Sequence, residues 1–257
     1  MIKFFRHIRQ NLIMKNQTGK YFKYAVGEIV LVVIGILIAL SINNWNEKRK
    51  ARIYETKMLH ELRTDLILDT IYFNAIIERP TRARKAIDKL IEMKLNNSIK
   101  NDSVERLFNI AGTNFSFTYH KGAYESLKSI GLDKISNDSL RNQISELYDF
   151  TFPRTIDLIV PTQEETSLYY KETIERYFVF EFNQNNTRPI PKLKMEPESL
   201  FNEARFLNTL HYQKGYTINS MNRLKDLTNS ITKLLKHIDA ELHIKEPTKN
   251  IPIRNWN

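Results

Sequence analysis

From Ile29 to Asn46 the chain runs through 18 consecutive residues without a charge, and the stretch IVLVVIGILIAL is large and aliphatic apart from Gly35 and Ala39. Helical rise makes the distance from Tyr24 to Trp45 about 31 Å, close to the ~30 Å hydrocarbon thickness of a bilayer. A core helix of a water-soluble domain rarely stays apolar on every face for five turns. A cleaved signal peptide would end in a small-x-small site, whereas this run passes into Asn43-Asn44-Trp45-Asn46. The expectation is a transmembrane helix over 26–45 acting as a signal anchor. Tyr21 and Tyr24 at one end and Trp45 at the other are the expected interface anchors, because amphipathic rings prefer the headgroup zone. Gly27, Gly35 and Ala39 would let another helix approach closely, although Leu31 interrupts the series. Glu28 is read as an interfacial carboxylate, hydrated or paired with Lys23; its alternative is a polar contact to a partner helix.

The charge is unevenly placed. Of the net +10, residues 1–28 carry +5, from six basic residues against Glu28. The remaining +5 is spread as on many solvated helical surfaces. Ile2, Phe5, Ile8 and Leu12 form one stripe of the opening segment, with Lys3, Arg6 and Arg9 among the residues around it. That pattern suits a helix lying on an anionic membrane surface, so residues 1–25 are read as a basic amphipathic segment on the headgroups. It is not a nucleic-acid signature. The positive-inside count is ambiguous, because Arg9, Lys15, Lys20 and Lys23 precede the span while Lys48, Arg49, Lys50, Arg52, Lys57 and Arg63 follow it. A long following domain crosses largely regardless of charge, which favours a cytoplasmic N-terminus and a periplasmic domain at the inner membrane.

Beyond the span the pattern is all-α. Seven glycines and eight prolines in 257 residues disfavour a turn-rich β fold. The span should continue as a helix to about Arg79, stopped by Pro80 and a Thr81 cap, with Leu59, Leu62, Leu66, Phe73 and Ile76 facing a bundle and Asp69 breaking the stripe. Further helices are expected over 81–95, from Asp102 or Ser103 to Ala111, over 121–130, from Asn137 or Asp138 to about Phe150, and over 153–180. Phe115, Phe117 and Tyr119 alternate with polar residues, as in a short strand or an extended linker; no partner strand is evident, so the linker is preferred. Asn183 to Glu198 reads as an exposed loop and a possible subdivision of the 46–246 bundle. A helix from Pro197 or Ser199 should end near Gly215. A last one over 218–242 carries Met221, Leu224, Thr228, Ile231, Leu235, Ile238 and Leu242 at heptad spacing, which suits antiparallel pairing with the helix leaving the membrane. The tail, 247–257, reads as extended.

The stretch GEIVLVVIGILIALSINNWNE, Gly27 to Glu47, together with MIKFFRHIRQNL at the start, closely resembles the opening of an uncharacterised family of single-span membrane proteins found in Bacteroidota. Ala123 to Tyr148 is similar to that family's central segment. The resemblance implies an inner-membrane protein with a helical domain of unknown function, and it brings no activity, catalytic residue or ligand with it.

Motifs for chemistry are weak. Cysteine is absent, which excludes disulfides and thiolate chemistry. His237, Glu241 and His243, or His60 with Glu61, are read as ordinary helix-surface residues rather than metal ligands. Neither G-x-S-x-G nor a glycine-rich phosphate loop occurs; Gly112, Gly122 and Gly131 stand in capping contexts, and Glu164-Glu165 suit a helix start. Tyr169-Tyr170 and Tyr177-Phe178 should supply core or interface rings. No catalytic residue, metal or cofactor is therefore expected. The leading expectation is a membrane-anchored interaction or scaffold module, partnered by anionic lipid and by another protein or a second copy. Its alternative is a sensory ligand-binding bundle, and an enzyme ranks third.

Overall fold

The computed structural model describes residues 18–181 and 190–245. The expectations for 1–17, for 182–189 and for the tail lie outside the described residues. Two compact units divide the chain, one up to Glu55 and one from Thr56 onward. The architecture is nearly all α-helix.

Helix α1 spans Thr18–Ile76. In its first part the aliphatic side chains are all solvent-facing, with Ile29 64% and Leu40 52% exposed. This helix is long and apolar enough to cross a membrane, and none of its apolar window is buried in protein. In the second unit α1 buries Leu59, Leu62, Leu66, Phe73 and Ile76 on one stripe, as their spacing predicts. Asp69 does not break that stripe but is fully buried within it.

Helix α2, Glu78–Leu95, starts three residues earlier than the proline suggests. Pro80 lies in its first turn, where the missing N–H has no helical partner to lose, and Thr81 donates its backbone N–H and its hydroxyl back to the Ile77 carbonyl instead of capping. Helix α3 is Asn101–Ala111. Residues 113–121 then cross the bundle without regular structure, as the linker reading expects. Phe117 stacks on Phe73 at 5.2 Å and Tyr119 on Phe152 at 4.0 Å, so the alternation serves to anchor aromatic rings.

Helix α4, Gly122–Ile130, closes on Gly131, whose φ of 121° is a backbone state that side chains with a Cβ rarely adopt. Asn137 caps helix α5, Asp138–Ser145, by accepting from the Leu140 N–H at 3.1 Å. The chain then continues through a wide turn with π-type hydrogen bonding, Glu146–Thr151, into α6, Phe152–Tyr177, without the expected break before Pro153. Strand β1, Phe178–Glu181, pairs antiparallel with β2, Ile190–Leu193, in the register Phe178 to Leu193. This hairpin corrects both the helix expected to Phe180 and the loop expected through 190–193. Buried Glu105 on α3 holds it, accepting from the Leu193 N–H at 2.8 Å and pairing with Lys192 at 3.1 Å.

After the short α7, Pro197–Leu200, helix α8 runs unbroken over Ala204–Lys245. Gly215 does not end it. Gln213, Tyr216, Thr217 and Ser220 around it are buried, and that packing outweighs the ~1 kcal/mol helix penalty of an interior glycine. Over 221–242 the buried apolar residues of α8 are Leu224, Leu227, Ile231, Leu234, Ile238 and Leu242, so Leu227 and Leu234 stand where Thr228 and Leu235 were expected, and Met221 is only half-buried. This helix packs mainly on α6 and α2. An ion pair between Arg63 and Asp239, at 2.6 Å, joins it to α1.

Two aromatic groups fill the interior of the second unit. Phe108 stacks on Phe178 at 4.9 Å and Tyr170 at 4.8 Å, with Phe206 at 5.3 Å. Phe152 gathers Phe73, Tyr119 and Tyr148, and Tyr148 stacks on Tyr124 at 4.5 Å.

Candidate functional site

The residues singled out in the apolar run sit on the surface of α1. A Cβ built on Gly27 or Gly35 would meet nothing within 4 Å. Ala39 is exposed, and so is Trp45, with the Arg49 guanidinium 6.0 Å from its ring centre. Tyr21 and Tyr24 belong to α1, though only their backbone is described. Lys3, Arg6 and Arg9 lie outside the described residues.

The most developed polar constellation joins α1 to the linker ahead of α4. Asp65 and Asp69 are one helical turn apart on α1, so both carboxylates face the same neighbour. Asp69 accepts from the His120 backbone N–H at 3.0 Å and meets the His120 Nδ1 at 2.7 Å. Asp65 accepts from the Ala123 N–H at 3.4 Å, at the start of α4. Burial holds the Asp69 carboxyl above its usual range, against the opposing pull of the two His120 hydrogen bonds. With Asp69 ionised, an Nδ1–H donor leaves Nε2 as the free acceptor of a half-exposed ring. An open groove of about 620 Å³ adjoins it, lined by Lys57, His60, Glu61, Thr64, Asp65 and His120 among others.

A carboxylate behind a histidine is an arrangement that orients a general base. The one hydroxyl in the groove, Thr64, donates to the His60 carbonyl at 2.9 Å. What the geometry does directly is clamp residues 119–123 onto α1, so that Tyr119 stays in the aromatic core. The signal for it in the sequence is Asp69 itself, a polar residue at a position the apolar spacing reserves for the core.

A second polar cluster lies beside it. Asp149, in the wide turn before α6, accepts from the Tyr124 hydroxyl at 2.5 Å and from Lys128 Nζ at 2.7 Å. The Lys128 hydrogen bond, then that of Tyr124, holds the Asp149 carboxyl below its usual range. Burial, reinforced by Asp149, pushes the Tyr124 phenol up. A carboxyl depressed on folding contributes stability above its unfolded value near 3.8, and that stability is lost as pH falls through the folded value. Asp149→Asn is therefore expected to unfold less steeply with acid than the wild type below about pH 4. Parallel acid titrations followed by circular dichroism check this, and equal slopes would refute it.

The other candidates separate. His237 bonds Gln143, whereas Glu241 accepts from the Asn137 amide at 2.7 Å. Among the described residues no three His, Asp or Glu side chains converge as a metal site. Tyr170 and Phe178 stack on Phe108, Tyr177 donates to Glu203 at 2.9 Å, and Tyr169 stacks on the exposed Tyr212. Glu164 and Glu165 are both exposed within α6 rather than at its start.

No curated protein and no solved structure matches the chain. Residues 28–167, which take in the apolar run, the Asp69 clamp and the Asp149 cluster, match the model of a family of unknown function, DUF6090. They make up more than half of the 257 residues, and the chain belongs to that family.

Proposed function

We propose that the chain is a single-pass protein of the cytoplasmic membrane that works as an interaction or scaffold module. Its apolar helix is the signal anchor. The basic segment with Lys3, Arg6 and Arg9 lies on anionic headgroups at the cytoplasmic side, and the helical domain stands on the other side. The observation that carries the reading is an apolar helical window with none of its surface buried in protein. Such a surface, far larger than a monomer tolerates in water, is stable in lipid. The rings of Phe108, Phe152 and their neighbours pack against one another in the interior, which supports recognition on the outer face over ligand capture inside.

Chemical crosslinking and affinity purification from native membranes are expected to yield one reproducible partner, another protein or a second copy. Recovery of none sinks the interaction reading. Protease added outside an intact cytoplasmic membrane is expected to digest the domain; protection until that membrane is opened would reverse the orientation.

A further inference from the structure

The second unit carries a groove whose charge is not balanced. Arg79, Arg82 and Lys85 line one side of it along α2, and Ala86, Leu107, Ile110 and Thr113 complete it. Its volume is about 560 Å³. Three residues per step bring the cations about 4.5 Å apart along the helix axis, so they span roughly 9 Å on neighbouring turns. Among the described residues no carboxylate lines the groove. Arg79 donates to the Asn114 carbonyl at 3.2 Å and Arg82 to the Glu78 carbonyl at 3.3 Å, so their contacts are to neutral oxygens. Other cations of the same helix are differently placed: Arg84 pairs with Asp88 and Lys89 with Glu92. Lys192 and Lys128, on other elements, likewise have carboxylate partners.

We propose that this groove binds an acidic peptide segment of a partner protein, with carboxylates on the three cations and an aliphatic side chain on the floor made by Ala86, Leu107 and Ile110. The inference rests on the interaction reading above and names the chemistry of the partner. Charge complementarity selects the occupant. A second copy is disfavoured, because each chain carries a net +10 and would bring like charge to the groove. Nucleic acid fits poorly, since among the described residues no aromatic ring lines the groove to stack a base. Carboxylates one turn apart on a helical peptide match the spacing of the cations, and the apolar floor gives the anchor that ion pairs on a rim do not supply.

The test uses the full chain in phosphatidylcholine nanodiscs and a fluorescent peptide of about twelve residues built from Glu and Leu, a length that spans the groove as a helix. Anisotropy is expected to show saturable binding that weakens with added salt. Exchanging the cations in R79Q/R82Q/K85Q is expected to weaken binding about tenfold or more, while the charge-keeping R79K/R82K/K85R stays within about threefold. Circular dichroism melts of both should match the wild type, because all three side chains are exposed.

Equal binding of a peptide with Gln in place of Glu would overturn the proposal, as would equal binding by R79Q/R82Q/K85Q. So would loss of binding in K3Q/R6Q/R9Q instead, or tighter binding of duplex DNA at the same groove. The two readings fail separately. Wild type and R79Q/R82Q/K85Q crosslinking the same membrane partner, with the peptide bound by neither, would remove the groove alone. Peptide binding at the groove with no reproducible partner in native membranes would remove the scaffold reading alone.

Discussion

Phe108→Ala is expected to destabilise the helical domain by about 3–5 kcal/mol, the range for truncating a fully buried ring. Phe108 is wholly inaccessible and touches three other rings, from β1, α6 and α8. Its loss leaves a cavity that the near-parallel Phe178, at an interplanar angle of 3°, cannot close without pulling the hairpin from α3. At about 2–4 °C per kcal/mol for a domain of this size, the melting temperature should fall by roughly 10 °C. Phe150→Ala is the control. That ring is 52% exposed, and the change should stay within about 0.5 kcal/mol. Equal losses in the two variants would mean that the ring cluster is not the core.

Gly112→Ala acts on the same cluster from the opposite direction. The glycine follows α3 with φ −83° and ψ 10°, values open to any residue, so no backbone strain demands it. Space does. A Cβ on Gly112 would overlap the edge of the Tyr170 ring, which stacks on Phe108 and donates its hydroxyl to the Phe108 carbonyl at 3.3 Å. Moving a rigid ring in a packed core costs about 1–3 kcal/mol. The expected result is a loss of that size in chemical denaturation, most of which disappears when Tyr170→Ala is already present. An undiminished loss in the double variant would place the effect in the α3 backbone. In the sequence Gly112 reads as a terminator, and the structure assigns it to close approach.

Much of the architecture could be read from local pattern. The apolar run, the α1 stripe, the Gly131 cap and the alternating aromatics of the linker are set by neighbours within a few residues, and they stand where the sequence puts them. Features that depend on distant partners were less legible. Phe178-Val179-Phe180 has β character, but its partner strand contains Pro191, which reads as a breaker. In a two-stranded hairpin both strands are edges, where proline is tolerated. The unbroken α8 follows the same logic, since the packing around Gly215 is tertiary. Asp69 showed as a polar interruption, yet its partner His120 is 51 residues away and no local spacing joins them. The groove of Arg79, Arg82 and Lys85 was hidden differently, because a run of basic residues does not reveal which of them will find carboxylates.

The scaffold role and the orientation both require the apolar part of α1 to reside in lipid. Alkaline carbonate extraction of cell membranes, followed by ultracentrifugation, tests this directly. The full chain is expected to stay in the pellet until detergent is added. The paired substitutions Ile34→Arg and Leu37→Arg, at about 2.5–3.5 kcal/mol each near the middle of a span, are expected to shift a substantial share into the supernatant. Wild-type protein recovered in the carbonate supernatant without detergent would contradict the membrane anchor and everything proposed from it.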